Sequence, residues 1–560
     1  MILRRRLSLE AVRGLSLATS LTTAGLAGAL LVAAHSTVLV YWFGNWTPRH
    51  GVALGVSFTV DSFGAAGALF AAVLVTAAIV AGVGTRKFGP LAHALTLVLL
   101  AAAAGFCLTG DLFNLFVFFE LMSVCTITLC ALDTSNLRAL HGALHFAVIN
   151  SIGAFFVLIG IALLYARTGA LNLALIGQRL AAHRPDDLVV VALTLLVVGF
   201  LIKAAIVPFH FWLVDAAPAA PPAVAMLMVG VLDTLGLYAV ARIYWTVFSS
   251  AIHPHQATVA AILIGAGVLT AVVGAAACLL PARPGRQFAF VAISHSGLML
   301  IGVGLLNPAG LGGFALYALA DGATKAALFA LANGHGTETF SRRVDRARWT
   351  LLVVAGLILA GMPPAGTSVA KGLLEEGTSG VGRIALEGLV LVVSALTAGT
   401  VLRVAFSERR SRRPTSVGTG SPRSSTLPVH VAAAGLLGSA FALGVVPGLA
   451  SRGVAAARHV QDRARYAAQV LSSHAPAVSH SAGGVRLGLV PVTLGLVSAL
   501  GALVVAYRPS TVRVSSAVRA VTSPMVPRLR ALHGGRIGDS TAWLTFGTAA
   551  IGAALVVAIR

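Results

Sequence analysis

Charge is scarce in this sequence. Of its 560 residues, 10% are Asp, Glu, Lys or Arg, where soluble domains carry roughly 25%. Hydrophobic residues make up 57% and the mean hydropathy is +0.90. A water-soluble enzyme of this length is excluded, and a polytopic membrane protein fits. Cysteine is rarer still. Cys107, Cys125, Cys130 and Cys278 form no CxxC pair, so they read as small buried hydrophobes, and no metal site is expected from their spacing. There is no GxxxxGK[ST], and no GxGxxG between a strand and a helix. No nucleotide or other cofactor is therefore expected on this chain. Acidic residues are few: 18 against 40 basic ones, for a formal net charge of +22. Such an excess can mark nucleic-acid binding, but here it falls in loops between apolar runs and reads as the positive-inside signal of a membrane protein. No nucleic-acid partner is expected.

Apolar runs bounded by Gly, Pro and charge predict an all-α polytopic membrane protein of 14–15 transmembrane helices. The expected spans lie near 14–42, 60–83, 88–108, 111–131, 141–166, 187–213, 218–248, 256–281, 285–306, 310–333, 349–377, 381–406, 428–450, 486–507 and 540–559. With fifteen spans, the N-terminus and the even-numbered loops share one side and carry 25 basic residues, against ten on the other. That bias predicts a cytoplasmic N-terminus in a plasma (inner) membrane. Residues 1–57 read as one span and an outer loop, and 58–406 as the core. Residues 407–560 read as an extension with three further spans and basic loops at 407–427 and 508–538. The stretch 452–471 has helical composition with interspersed Arg; it suits either the membrane interface or a solvated loop helix.

Lysine is nearly absent: four residues against 36 Arg. Three of the four, Lys203, Lys325 and Lys371, fall inside apolar segments. Arg stays protonated in proteins, whereas a buried Lys can give up its proton. Acids join them: Glu120 in 111–131, Asp233 in 218–248, and Asp321, which shares a helix face with Lys325 at i,i+4. Intramembrane ionisable residues are costly and mark ion or proton pathways. A static, charge-neutral pair that pins helices together is the bland alternative. Lys203 is followed by Pro208, Pro218, Pro221 and Pro222, and Lys371 is preceded by Gly361, Pro363, Pro364 and Gly366. Two interrupted helices in two halves of a bundle are the mark of inverted repeats built around a transport site.

Four segments carry a resemblance to a known family: GDLFNLFVFFELM (110–122), LIKAAIVPFHFWLVDAAPAAPP (201–222), DGATKAALFALANG (321–334) and AGMPPAGTSVAKGLL (360–374), with AFVAISHSGLMLIG (289–302) a weaker fifth. They resemble the antiporter-like subunits of Mrp-type multisubunit cation/proton antiporters, the D-type subunit closest, and of respiratory complex I (NADH-quinone oxidoreductase). The resemblance covers roughly 58–406. It implies a proton path through Glu120 and Lys203, then Lys325 and Lys371, with His210 and Asp215 also matching. It departs from the family pattern at four positions. Thr234 stands where the family has Lys, with Asp233 beside it, and Ala320 where it has His before Asp321. Val214 replaces a Pro, and Ala217 a second His. His295 is placed to fill part of that gap, or to be a satisfied buried histidine. The implied partners are other membrane subunits of a hetero-oligomeric complex, protons, sodium as the candidate exchanged cation, and the lipid bilayer. Three readings stay open: a proton-translocating subunit of a cation/proton antiporter, the equivalent subunit of a complex I-like or hydrogenase-like redox-driven pump, and a structural subunit that has lost conduction.

Overall fold

The computed structural model describes residues 8–83, 88–182, 185–280, 282–332, 342–410, 427–472, 489–507 and 537–559. Arg4–Arg6, Arg86, Lys87 and the bulk of both basic loops, 411–426 and 508–536, lie outside the described residues.

Apolar sequence becomes helix because a backbone in lipid must satisfy its own hydrogen bonds. In chain order the helices are α1 Leu9–Ala33, α2 Ser62–Gly82, α3 Pro90–Leu108, α4 Leu112–Ala131, α5 Leu137–Thr168, α6 Leu173–Ala181, α7 Asp187–Lys203, α8 Phe211–Ala216, α9 Pro222–Leu227 and α10 Asp233–Ile243. Then come α11 Gln256–Cys278, α12 Pro284–Gly304, α13 Pro308–Ala332, α14 Arg342–Ala360, α15 Gly366–Glu376, α16 Gly380–Arg410, α17 Leu427–Val445, α18 Leu449–Gln461, α19 Arg463–Ser472, α20 Leu489–Tyr507 and α21 Ile537–Ile559. α9 and α10 belong to one continuous span, Pro222–Phe248. Thirteen described helical segments are long and apolar enough to cross a membrane. The two broken segments, α7–α8 and α14–α15, stand beside them and complete the fifteen expected.

On α1, Leu15, Leu21 and Leu26 are exposed while Ser16 and Ser20 are buried. α12 and α13 are almost wholly enclosed. Small residues let backbones close up: a Cβ on Gly297 of α12 would collide with the backbone of Ala271 on α11. A bidentate ion pair, Arg242 to Asp61 at 2.5 and 2.7 Å, fastens α10 to the N-terminus of α2.

One face of the bundle carries an antiparallel hairpin, β1 Leu39–Trp42 and β2 Ser57–Val60, in the register Leu39↔Val60. The stretch 452–471 lies there too. Within it, α18 and α19 pack on protein. Tyr466 shares a 2.9 Å hydrogen bond with Thr59, Arg463 donates to the Gly177 carbonyl at 2.6 Å, Arg465 donates to the Ser36 carbonyl at 2.5 Å, and Gln469 accepts from Val38 at 3.2 Å. Arg463 and Arg465 thus reach backbone carbonyls of neighbouring segments.

The two breaks share a design. After Lys203 the chain enters the left-handed region at Ala205 (φ 51°), and Pro208 follows. After Ala360 it does so at Gly361 (φ 82°), and Pro363 and Pro364 follow. The freed carbonyls find side chains, as membrane depth requires. Ile202 accepts from the Trp212 indole at 2.9 Å, Ile358 from Thr367 at 2.5 Å, and Leu359 from Lys371 itself at 2.7 Å. Four described crossings separate the breaks, so they traverse the bundle in opposite senses, as inverted repeats require.

The C-terminal extension reaches both breaks. Gly547 of α21 lies against Pro208 and Phe209; Gly495 of α20 lies against Gly361 and Pro363; Gly444 of α17 lies against Pro364 and Ala365. At each place a Cβ would overlap the neighbour.

Candidate proton-translocation site

Lys203 closes α7 and is 1% exposed. Its amine donates to the Ser123 hydroxyl of α4, and to the Asn150 carbonyl oxygen of α5 at 3.2 Å. Asn150 in turn donates to Ser123 at 2.8 Å. The faces of Phe119 (4.4 Å) and Phe146 (5.7 Å) complete the pocket. Every one of these partners is neutral. Glu120 is one turn from Ser123 on α4, yet no ion pair joins it to Lys203, and its Oε1 is buried without a hydrogen bond from any described residue. The expected acid–amine pair is thus apart in this conformation.

Lys325, also 1% exposed, is held in the opposite way. From the middle of α13 it reaches Asp233 of α10 at 2.7 Å and Asp321 of its own helix at 3.3 Å. Asp233 also accepts from Thr234 and Ser296, each at 3.2 Å. Asp233 therefore supplies charge to the central lysine, while Thr234 serves only as a hydroxyl donor to it. The imidazole expected at position 320 arrives from another helix. His295 of α12 places Nδ1 2.6 Å from Asp321 and Nε2 3.0 Å from Thr397 of α16, with the Tyr317 hydroxyl 2.9 Å from Nδ1.

Lys371 of α15 is 4% exposed. Besides the Leu359 carbonyl it donates to Ser394 of α16 at 2.7 Å, and it stands 6.0 Å from the centre of the Tyr317 ring. Ser394 is one turn from Thr397, the partner of His295. The line thus runs Asp233, Lys325, Asp321, His295, Thr397, joined by hydrogen bonds except at the Lys325–Asp321 ion pair, and the next turn of α16 carries it to Lys371.

On the face opposite the hairpin, a basin of about 1130 Å³ opens between the 133–141 and 214–223 segments and Arg283–Arg286. Asp215 and His141 line it. Asp215 meets fully buried His145 at 2.9 Å, and the other His145 nitrogen meets Ser540 of α21 at 2.9 Å. His210 is buried with its ring 4.4 Å from Phe211; it bonds neither Lys203 nor His145. Sequence reasoning missed His145, Asn150, Ser123, Ser394 and Thr397, because their role exists only across helices. All four cysteines are free and buried.

The model of the NADH:quinone oxidoreductase/Mrp antiporter transmembrane family matches residues 109–397. The chain belongs to that family. It is 29% identical over 375 residues to the D-type subunit of the Na(+)/H(+) antiporter of Bacillus subtilis, covering 64% of this chain and 74% of the relative. It is 31% identical over 421 residues to the N-type subunit of the NADH-quinone oxidoreductase of Desulforudis audaxviator, covering 71% and 81%. Among solved structures it resembles a chain of the Mrp complex from Dietzia sp. DQ12-45-1b, with TM-score 0.73 and 25% identity over 83% of this chain and 95% of that one. A chain of the archaeal membrane-bound sulfane sulfur reductase has the same fold, with TM-score 0.71, 24% identity and coverage of 84% and 96%. The family member described here is an antiporter-like membrane subunit of the type found in Mrp and complex I-like assemblies.

Proposed function

We propose that this subunit translocates protons within a multisubunit cation (Na+)/proton antiporter of the plasma membrane. Residues 58–406 form the conducting core, the N-terminus is cytoplasmic, and other membrane subunits complete the complex. The observation that carries the reading is the buried line of titratable groups from Asp233 to Lys371, with Lys203 at the other break. A proton taken up in the basin reaches the Asp215–His145 pair. Lys203 is held by hydroxyl and amide groups that can hydrogen-bond either its protonated or its neutral form. Approach of Glu120 would hold the proton on Lys203; the separated arrangement lets it leave toward Asp233 and Lys325. His295 and Lys371 then pass it outward. His295 supplies the imidazole that Ala320 lacks, which argues against a subunit that has lost conduction.

The same path would serve a redox-driven pump, and the oxidoreductase relative favours that second reading. Purification of the intact complex separates the two. Small antiporter subunits with sodium-driven proton flux support the first; flavin or iron–sulfur absorbance in partner subunits supports the second. Lys203→Ala in the assembled complex tests both, since unchanged proton flux would remove the translocation role.

A further inference from the structure

Glu375 is a buried acid that the path so far does not use. It stands on α15 one turn beyond Lys371, at i,i+4, so both side chains leave the same face of the helix. It is 1% exposed, and neither carboxylate oxygen is hydrogen-bonded by any described residue. Three other buried acids are tied to cations: Asp61 to Arg242, Asp233 and Asp321 to Lys325. A buried acid without a donor is costly, and packing alone would favour an apolar side chain there. Its position is at the end of the line. α15 stops at Glu376, Asn307 donates to the Gly377 carbonyl at 2.8 Å to fix the exit of the helix, and the half-buried Arg383–Glu387 ion pair begins α16 just beyond.

We propose that Glu375 is the terminal proton carrier, passing protons between Lys371 and water at the hairpin face. This rests on reading Lys371 as a proton carrier. In the outward step an N–H bond of protonated Lys371 breaks and an O–H bond forms on Glu375, directly or across one water. A neutral amine and a neutral carboxylic acid remain. The acid then releases its proton to bulk water and returns to the carboxylate.

The test compares wild type, Lys203→Ala, Glu375→Gln and Glu375→Asp in proteoliposomes of the intact complex, with proton flux followed by a trapped pH dye. Glu375→Gln should slow flux by about tenfold or more, and Glu375→Asp should keep most of it. The dependence of flux on hairpin-face pH should flatten in Glu375→Gln. Glu375→Leu, which suits the apolar surroundings, stands in where Glu375→Gln does not assemble, with the same outcomes. A wild-type rate and pH dependence in Glu375→Gln, with Lys203→Ala inactive, overturns this assignment and leaves the wider reading standing. Wild-type rates in both overturn the wider reading. Equal losses in Glu375→Gln and Glu375→Asp, with unchanged pH dependence, mark a structural role and overturn the assignment.

Discussion

Lys203 and Lys325 are amines buried equally deep in one bundle, and they are kept there by opposite means. Lys325 is compensated by Asp233 and Asp321 and wired onward through His295. Lys203 has only a hydroxyl, an amide oxygen and two aromatic faces, and among the described residues no hydrogen bond joins its pocket to the central line. A gate belongs at the uncompensated amine. A charge-compensated cluster stores a proton at rest; an uncompensated amine at a helix break can respond to the approach or withdrawal of a single acid, here Glu120. On the proposed path, proton transfer between the two needs a change of conformation or of hydration, and the break beside Lys203 is the place where the backbone can supply it.

Removing each amine in turn should have very different costs. Lys325→Met leaves two buried carboxylates without a cation and should destabilise the protein by about 3–5 kcal/mol. Lys203→Met leaves Ser123 and Asn150 bonded to each other and should cost no more than about 1.5 kcal/mol. Thermal unfolding of the purified complex measures both. Equal costs would show that the two sites are not differently compensated.

His295→Gln keeps a donor toward Asp321 but cannot pass a proton, and should slow flux by roughly 100-fold in vesicles. An unchanged rate would detach Lys371 from the central cluster. Gly495→Ala forces α20 away from the Gly361–Pro363 break and should cost about 1–3 kcal/mol. The same melting experiment shows whether the C-terminal extension braces that break. Ser123→Ala removes one partner of Lys203 and should cost about 1 kcal/mol, with flux altered by no more than several-fold.

The three lysines and both breaks were legible in the sequence, because Pro and Gly clustered within an apolar run interrupt a helix and Lys is conspicuous among 36 Arg. The span count was legible for the same reason: bilayer thickness sets helix length. What joins the sites was not. His295 and Asp321 are adjacent only through the packing of α12 on α13, and Ser394 and Thr397 are ordinary residues of an apolar helix until Lys371 and His295 arrive. Residues 452–471 carried a helical pattern but no sign of what they face, since Arg meeting a loop carbonyl and Arg meeting a phosphate look alike in sequence. Glu375 was within reach of the i,i+4 rule from Lys371, yet nothing in a single sequence marks an acid near a helix end as buried.

On the proposed path Lys203 works by losing its proton. Lys203→Arg keeps the positive charge and the length of the side chain but stays protonated. In proteoliposomes of the assembled complex, Lys203→Arg should lose proton flux as fully as Lys203→Ala. Flux at the wild-type rate in Lys203→Arg would contradict it.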